Sequence, residues 1–307
     1  MHKEFKIENR IRLLTEKYSP FTNVVGLSRS LLALGLLLTL LSTDINTLVH
    51  KYNDGNLVNP LLNESVALNK YNFFILFGYD HLNLMKYLAI IILAIVISGF
   101  WFKITSFLHW WIAISFLYFS SIIDGGDQIN AVISLMLIPV LLFDKRKNHW
   151  EKMNNEISVR GIIPIITIWI IRLQVALIYF QASVGKYFVP EWADGTAIYY
   201  WWNHTVFGMP IIISNSINFA LSNSFVVSFI TYSVLILEIL IFLGLTANLK
   251  YRKIILLIGI FFHFSIIIFH GIFSFFFSIT ACLILFLYPT YQNINFKKYL
   301  LWLKKTS

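Results

Sequence analysis

Long apolar runs follow one another along the chain, and most charged residues fall between the runs rather than within them. A helix needs roughly 20 apolar residues without a polar face to cross the hydrocarbon of a bilayer. The pattern therefore predicts an all-α integral membrane protein, with about eight transmembrane helices in one domain over residues 1–307. The predicted spans lie near residues 24–43, 85–101, 104–120, 129–143, 162–183, 224–247, 254–270 and 272–288. The fourth run is the shortest, so we expect it to be tilted within the bundle or to start inside the preceding loop.

The basic residues are distributed unevenly between the two ends of these spans. Of the 24 lysines and arginines, most fall in the N-terminal segment, in the loops after even-numbered spans and in the C-terminal tail. The opposite side receives Lys51, Lys70, Lys86 and Lys186. Because cytoplasmic segments of membrane proteins carry the excess of Lys and Arg, both termini are predicted to be cytoplasmic.

Two long segments, 44–84 and 184–223, then lie on the outer side. Within them, residues 71–78 and 197–213 are apolar and rich in aromatic side chains, which favour the headgroup level of a bilayer. We therefore expect interfacial helices on this side. The densest cluster, Tyr-Tyr-Trp-Trp at 199–202, is either part of an aromatic belt or a platform for a substrate.

The composition agrees with a membrane protein and excludes several other classes. Hydrophobic residues make up 58% of the chain and charged residues 13%, which is too little charge to cover the surface of a soluble domain. The net charge of +9 comes from short basic clusters between spans, so we expect no nucleic-acid partner. Cys282 is the single cysteine, which excludes an internal disulfide and a thiolate metal cluster.

Three ionisable residues lie deep within predicted spans, where each costs free energy unless it has a partner or a purpose. Arg172 is near the middle of the fifth span, and Glu238 and His263 are at a similar depth in the sixth and seventh. An ion pair between Arg172 and Glu238 is one interpretation, and a polar site or transport path is the other. Arg29 in the first span is close enough to the cytoplasmic end to extend its side chain towards water.

Helical periodicity aligns several of these polar residues. Arg172, Tyr179 and Lys186 recur every seven residues and share one stripe of the fifth span, as His263 and His270 do on the seventh. If the two stripes face each other, they form a polar column. Its outer end would lie near Asp124, Asp127, Asp194 and His204. Lys186 is then either a base in a poorly hydrated cavity or an interfacial residue that holds the helix end. The two histidines are two turns apart and do not readily bind one ion, so no metal site is predicted.

The stretch RLQVALIYFQASVGK at 172–186, followed by Trp192 and Gly195, resembles a known signature. The pattern Arg-x-Gln, Tyr-Phe-x-Ala, a small residue, Lys and Trp-x-x-Gly is that of the HTTM (horizontally transferred transmembrane) superfamily, which includes vitamin K-dependent gamma-carboxylases. The Asp-Gly-Gly-Asp-Gln turn at 124–128 and the size of the chain make it most similar to the sporulation-delaying protein B subfamily.

The resemblance carries expectations about chemistry and partners. In the carboxylases, the lysine of the signature is the base that deprotonates reduced vitamin K on the extracytoplasmic side, which implies the same role for Lys186 and a reduced quinone as the candidate cofactor. Those enzymes bring a histidine to the site from the region that matches 124–128, and this chain has none there. The sporulation-delaying subfamily is needed to mature a secreted peptide toxin. This implies a secreted precursor peptide as partner and leaves room for a second maturation protein beside the lipid bilayer.

We therefore expect a factor of the bacterial cell membrane that matures or modifies a secreted, toxin-like peptide at the outer face. The candidate catalytic residues are Lys186, His270, Asp124 and Asp127. The candidate substrate- or cofactor-binding residues are Arg172, Gln174, Tyr179, Gln181, Trp192, Asp194, Gly195, His204, Glu238 and His263. Two alternatives stay open: a quinone-dependent carboxylase or epoxidase, and a non-enzymatic exporter, scaffold or immunity-type binder.

Overall fold

The computed structural model describes residues 2–48, 71–151, 161–205 and 208–295. This part of the chain is helical and contains no β-strand, which confirms the predicted all-α multi-pass membrane protein. The helices, numbered in chain order, are α1 His2–Tyr18, α2 Asn23–Ser42, α3 Leu82–Ser98, α4 Phe102–Phe119, α5 Gly125–Leu142, α6 Ile162–Tyr187, α7 Pro190–Ala193, α8 Ala197–Trp202, α9 Ile211–Leu221, α10 Ser224–Leu243, α11 Leu249–His270 and α12 Phe273–Leu287.

Several basic residues used to assign the sides of the membrane lie outside the described residues. They are Lys51, Lys70, Lys152, Arg160, Lys297, Lys298, Lys304 and Lys305. The same holds for residues 49–70 and 206–207 of the two outer segments. The end of the bundle that carries Asp124, Lys186 and His270 is called the outer end below, following the predicted orientation.

In the described chain, seven helices are long and apolar enough to cross a membrane: α2, α3 with the 3₁₀ turn before it, α4, α5, α6, α10 and α11. The remaining apolar helix, α12, has 15 residues and spans about 22 Å, which is less than the ~30 Å of hydrocarbon in a bilayer. Every residue from Ser278 to Leu287 is buried. Because α12 packs against α2, α5, α6 and α11, it is surrounded mainly by protein rather than by lipid.

Helix α5 begins at Gly125, ahead of the predicted start at residue 129. Asp124 is the N-cap: its Oδ1 accepts hydrogen bonds from the backbone N–H of Gly126 at 2.6 Å and of Asp127 at 3.1 Å. Asp127 Oδ2 in turn accepts from the backbone N–H of Asp124 at 3.0 Å. This capping box satisfies backbone donors at the helix start, so the fourth span does start inside the preceding loop.

Gly126 allows α5 and α12 to touch backbone to backbone. A Cβ at this position would lie 2.5 Å from Phe275 Cα and 2.7 Å from Phe275 N, both closer than real Cβ contacts. At the same junction, the Ser274 hydroxyl donates a hydrogen bond to Asp124 Oδ2. A close contact and a hydrogen bond therefore join the outer ends of the two helices.

The outer segment at 71–78 does not lie flat along the interface as expected. Asn72 Nδ2 donates to the Ser115 carbonyl at 2.9 Å, and the Ser115 hydroxyl accepts from the backbone N–H of Phe73 at 2.9 Å. Phe73 and Phe74 are buried in the apolar core that α2, α3 and α4 form. The hydrogen bonds satisfy the backbone at the point where these two rings enter the bundle, while Tyr71 and Phe77 stay exposed.

Arg29 does not extend to water as the sequence predicted; it is 1% exposed. Its guanidinium donates to Thr105 Oγ1 at 2.6 Å, and its Nη1 lies 3.4 Å from His149 Nδ1. Burial, and then the charges of Arg29 and Arg146, lower the pKa of His149 to about 3. His149 is therefore neutral at physiological pH and can accept a hydrogen bond from Arg29. This hydrogen bond helps to stabilise the buried guanidinium charge of Arg29 at the inner end.

Candidate functional site

A cavity of about 640 Å³ lies at the outer end, between α10 and α11. Helices α6, α7 and α8 close one side of it, and the starts of α5 and α12 close another. The lining is mainly apolar and aromatic, and its polar members include Asp124, Lys186, Glu238, His263 and His270. Phe229 and Trp201 at its edge are 63% and 44% exposed, so the cavity is open to the surroundings.

Lys186 and Glu238 form an ion pair inside this cavity, with 2.5 Å between Nζ and Oε1. The Lys186 side chain is 27% exposed and that of Glu238 is 8% exposed. Side chains on a helix lean towards its N-terminus, and Lys186 follows this rule: its Nζ also lies 3.4 Å from the Ala182 carbonyl, one turn earlier. The amine therefore points into the cavity and away from the headgroups, which disfavours the interpretation as an interfacial anchor.

Arg172 is not the partner of Glu238, so the interpretation of these two residues as an ion pair is wrong. Arg172 Nε donates to the Phe286 carbonyl at 3.0 Å, near the end of α12, and its guanidinium lies over the Trp169 ring at 4.8 Å. Counting positions along each helix placed Arg172 level with Glu238. This count ignores the length of the Lys186 side chain, which reaches back to Glu238 from a position nearer the outer end. Arg172 is not among the residues that line the cavity.

The stripes of α6 and α11 meet at Tyr179 and His263. The Tyr179 hydroxyl and His263 Nε2 are 2.8 Å apart, and both side chains are nearly fully buried. His263 lines the cavity, and Tyr179 lies behind it. The predicted proximity of these two stripes is therefore observed, and Lys186, Glu238 and His263 all line the cavity.

The signature Trp-x-x-Gly at 192–195 has a visible structural purpose. Pro190, whose φ is fixed near the helical value, starts the short helix α7. Trp192 in this helix places its ring 5.3 Å from Lys186 Nζ, so the cation faces an aromatic ring. Gly195 has φ +83°, and a Cβ there would lie 3.0 Å from Ser228 Oγ, so a side chain would be strained and crowded. Gly195 thus turns the chain from α7 into α8, and it does not line the cavity.

The aromatic cluster at 199–202 is divided between two environments. Trp202 is buried and stacks on Phe269 of α11 with 4.9 Å between ring centroids. Trp201 lies at the cavity edge, whereas Tyr199 and Tyr200 are exposed and do not line the cavity. The cluster therefore supplies two lining residues of the cavity, Trp201 and Trp202, and an exposed aromatic surface.

The other candidate residues are spread around the site. Asp124 and His270 line the cavity, while Asp127 caps α5 and is not part of the lining. Asp194 is exposed and accepts hydrogen bonds from Thr196, and His204 is exposed with its ring 6.1 Å from that of Trp201. Gln174 is half-buried and Gln181 is exposed, and neither lines the cavity. Among the residues that the structure describes, no group of three or more His, Cys, Asp or Glu could hold a metal ion.

Sequence reasoning missed Phe262 and Phe269, which line the cavity from α11. They repeat at the same seven-residue interval as His263 and His270, one position earlier. This repeat in the sequence would have predicted that the two phenylalanines lie beside the two histidines on the same side of α11. Ser274, which bonds to Asp124 across the chain, carried no such signal because the contact joins residues 150 positions apart.

Comparisons with known proteins find two relatives that match most of the chain. It is 36% identical over 294 residues to the sporulation-delaying protein SdpB of Bacillus subtilis (strain 168), covering 94% of this chain and 88% of that protein. It is 35% identical over 309 residues to the uncharacterized protein YitO of the same organism, covering 97% of both. No protein-family model matches the chain, and no solved structure matches it significantly, so membership of the wider HTTM superfamily stays a prediction.

Proposed function

The chain belongs to the family of the sporulation-delaying protein SdpB, and on that premise we propose that it is a factor of the bacterial cell membrane that matures a secreted peptide at the outer face of the bilayer. The observation that carries the proposal is the cavity at the outer end, into which the Lys186 amine points from its ion pair with Glu238. An apolar cavity with a few convergent polar groups is the expected form of a ligand or active site. The proposed partner is a precursor peptide, with a second maturation protein as a further candidate.

Lys186 is the candidate base in this proposal. A lysine acts as a base through its neutral amine, and Glu238 Oε1 is close enough to hold the proton that the ammonium gives up. Transfer of that proton within the pair turns an ammonium and a carboxylate into an amine and a carboxylic acid. In a mainly apolar cavity the neutral pair avoids the desolvation penalty of two charges. The peptide proton to be removed would then lie within hydrogen-bond reach of Nζ.

The other polar groups have supporting roles in this proposal. The Trp192 ring positions the lysine side chain through its contact with Nζ. Asp124 has its carboxylate engaged by the start of α5 and by Ser274, so we assign it to the shape of the cavity floor. His270 lies at the outer rim of the cavity, where an entering peptide would pass.

The test measures mature peptide in the culture medium. The cells have the native gene deleted and express either the unaltered protein or one of its variants. Untargeted mass spectrometry of secreted peptides should detect a product with the unaltered chain and none with Lys186→Met or Lys186→Arg. Lys86→Met is the matched control, because Lys86 also lies at the outer end of a span but donates to the Thr43 carbonyl, away from the cavity. Immunoblots of the membrane fraction check that all variants are inserted equally. Identical secreted products with and without Lys186 would refute the proposed role.

A further inference from the structure

Two residues of the signature, Gln174 and Gln181, lie on the surface of α6 and away from the cavity. Gln181 is exposed and Gln174 is half-buried, and neither side-chain amide has a hydrogen bond to another residue in the part of the chain that the structure describes. Because α6 is long and apolar enough to cross a membrane, this surface of a single copy faces hydrocarbon. An amide in hydrocarbon costs free energy unless it finds a partner.

Gln174 is too deep in the membrane to find that partner in water. At 1.5 Å per residue, it lies about 18 Å from the inner start of α6 at Ile162 and about 20 Å from its outer end at Tyr187. Both distances exceed the reach of a glutamine side chain. The amide therefore needs a polar group at its own depth, and the usual source of such a group is another membrane-spanning helix.

The two glutamines belong to a regular pattern on the exposed side of α6, with spacings that alternate between four and three residues. The pattern, which we call the α6 seam, consists of Ile163, Thr167, Ile170, Gln174, Leu177, Gln181 and Val184. Its four aliphatic members are between 39% and 52% exposed. The Thr167 hydroxyl donates to the Ile163 carbonyl at 2.9 Å within the helix, so it needs no further partner. Alternating spacings of three and four residues are typical of a helix that packs along a second helix at about 20°.

We infer that the α6 seam packs against the α6 seam of a second copy of this chain, in a dimer with its two-fold axis perpendicular to the membrane. Since both copies have the same orientation in the membrane, this axis places each seam residue opposite its own equivalent at the same depth. A glutamine amide has donors and an acceptor, so each glutamine can exchange hydrogen bonds with the same glutamine of the other copy. The seam contains no charged residue, so two identical seams meet without repulsion.

The cavity lies on a different side of α6 from the seam. At about 100° per residue, Lys186 is about 140° around the helix from Gln181. No seam residue lines the cavity, and each copy contains a complete Lys186–Glu238 pair. The dimer therefore leaves both cavities accessible, and the inference does not depend on the proposed function.

Disulfide formation in liposomes that contain only the purified full-length protein tests the geometry. In a Cys282→Ala background, Leu177→Cys and Val184→Cys should give cross-linked dimers with copper phenanthroline, because the two-fold axis brings identical seam positions together and a disulfide needs Cα atoms within about 4.4–6.8 Å. Leu173→Cys, which is 50% exposed beside the seam, should cross-link much less. Ile236→Cys is the matched control for random collisions, because it is 58% exposed on α10.

Subunit counting by single-molecule photobleaching, at several protein-to-lipid ratios, measures the strength of association. The double variant Gln174→Leu, Gln181→Leu should weaken the dimer about tenfold, because each amide pair between membrane helices contributes a few-fold. Leucine is compatible with a surface that faces lipid, so the variant should insert and fold as the unaltered protein does. Gln128→Leu is the matched control, because Gln128 is exposed in the first turn of α5, outside the seam.

Monomers at every protein-to-lipid ratio would overturn the inference, as would unchanged association in the double glutamine variant. Equal cross-linking of Leu177→Cys, Leu173→Cys and Ile236→Cys would show random contact only. A cross-link from Leu177→Cys to a protein of different mass in cells, with none in the purified protein, would assign the seam to another protein and refute the second copy as its partner. The cell-based test of Lys186 is separate, so either result can be negative without the other.

Discussion

Glu238 uses one carboxylate oxygen for Lys186, while its other oxygen is buried without a hydrogen-bond partner among the described residues, so the carboxylate relies on the lysine. A carboxylate that is 8% exposed depends strongly on its counter-ion. Removing only the lysine leaves a charge in an apolar surrounding, whereas removing both members leaves two apolar side chains that can pack. Single and double substitutions therefore separate electrostatic effects from packing effects at this position.

We predict that Lys186→Met lowers the free energy of unfolding by about 3 kcal/mol, at the lower end for buried pairs because Lys186 is partly exposed. The double variant Lys186→Met, Glu238→Met should recover most of this loss. Thermal unfolding in detergent, followed by the fluorescence of a thiol dye that reacts with Cys282 as it becomes exposed, measures both variants. A double variant that is less stable than the single one would contradict the electrostatic explanation.

At the scale of elements, the helices could be predicted from the sequence because a bilayer demands long apolar runs, but their register could not. Counting along each span placed Arg172, Glu238 and His263 level, and the structure pairs Glu238 with Lys186 instead. The count follows Cα positions, whereas the partner depends on helix stagger and on the lysine reaching back one turn. Phe73 and Phe74 show the same limit, since an aromatic segment that enters a bundle and one that lies on its surface have the same composition.

The junction of α5 and α12 gives a prediction for one glycine. Gly126→Val places side-chain atoms against the backbone of Phe275, so we expect a loss of about 1–3 kcal/mol in the free energy of unfolding and a displaced cavity floor. Gly185→Ala is the control, because a Cβ there meets no atom within 4 Å and alanine favours the helix. The same thermal assay compares the two variants. Equal stability of both would show that α5 and α12 can separate at no cost.

At the scale of the whole molecule, the apolar runs were enough to predict a multi-pass helical bundle. The seven-residue repeats predicted that the stripes of α6 and α11 face each other, and these stripes do meet at Tyr179 and His263. The uneven distribution of basic residues predicts which end of the bundle faces the cytoplasm. The cavity itself could not be predicted, because its walls come from helices far apart in the chain and from the short α7 and α8.

The predicted orientation can be measured by cysteine labelling in intact cells. In a Cys282→Ala background, Phe188→Cys should react with a membrane-impermeant maleimide added outside, because Phe188 is exposed beside Lys186 at the outer end. Glu151→Cys, at an exposed residue that follows α5, should react only after the cells are permeabilised. The reverse pattern would place the cavity on the cytoplasmic side and refute maturation at the outer face.

The exposed edge of the cavity at Phe229 has a consequence for how the protein would be supplied with substrate. Phe229 lies on a helix long and apolar enough to cross the membrane, so under the proposed function an apolar peptide dissolved in the outer leaflet would reach the cavity without returning to water. The rate of such a reaction follows the mole fraction of peptide in the leaflet rather than its concentration in the medium. Dilution by inert lipid would then slow turnover, and the membrane area of the cell would act as the reaction volume.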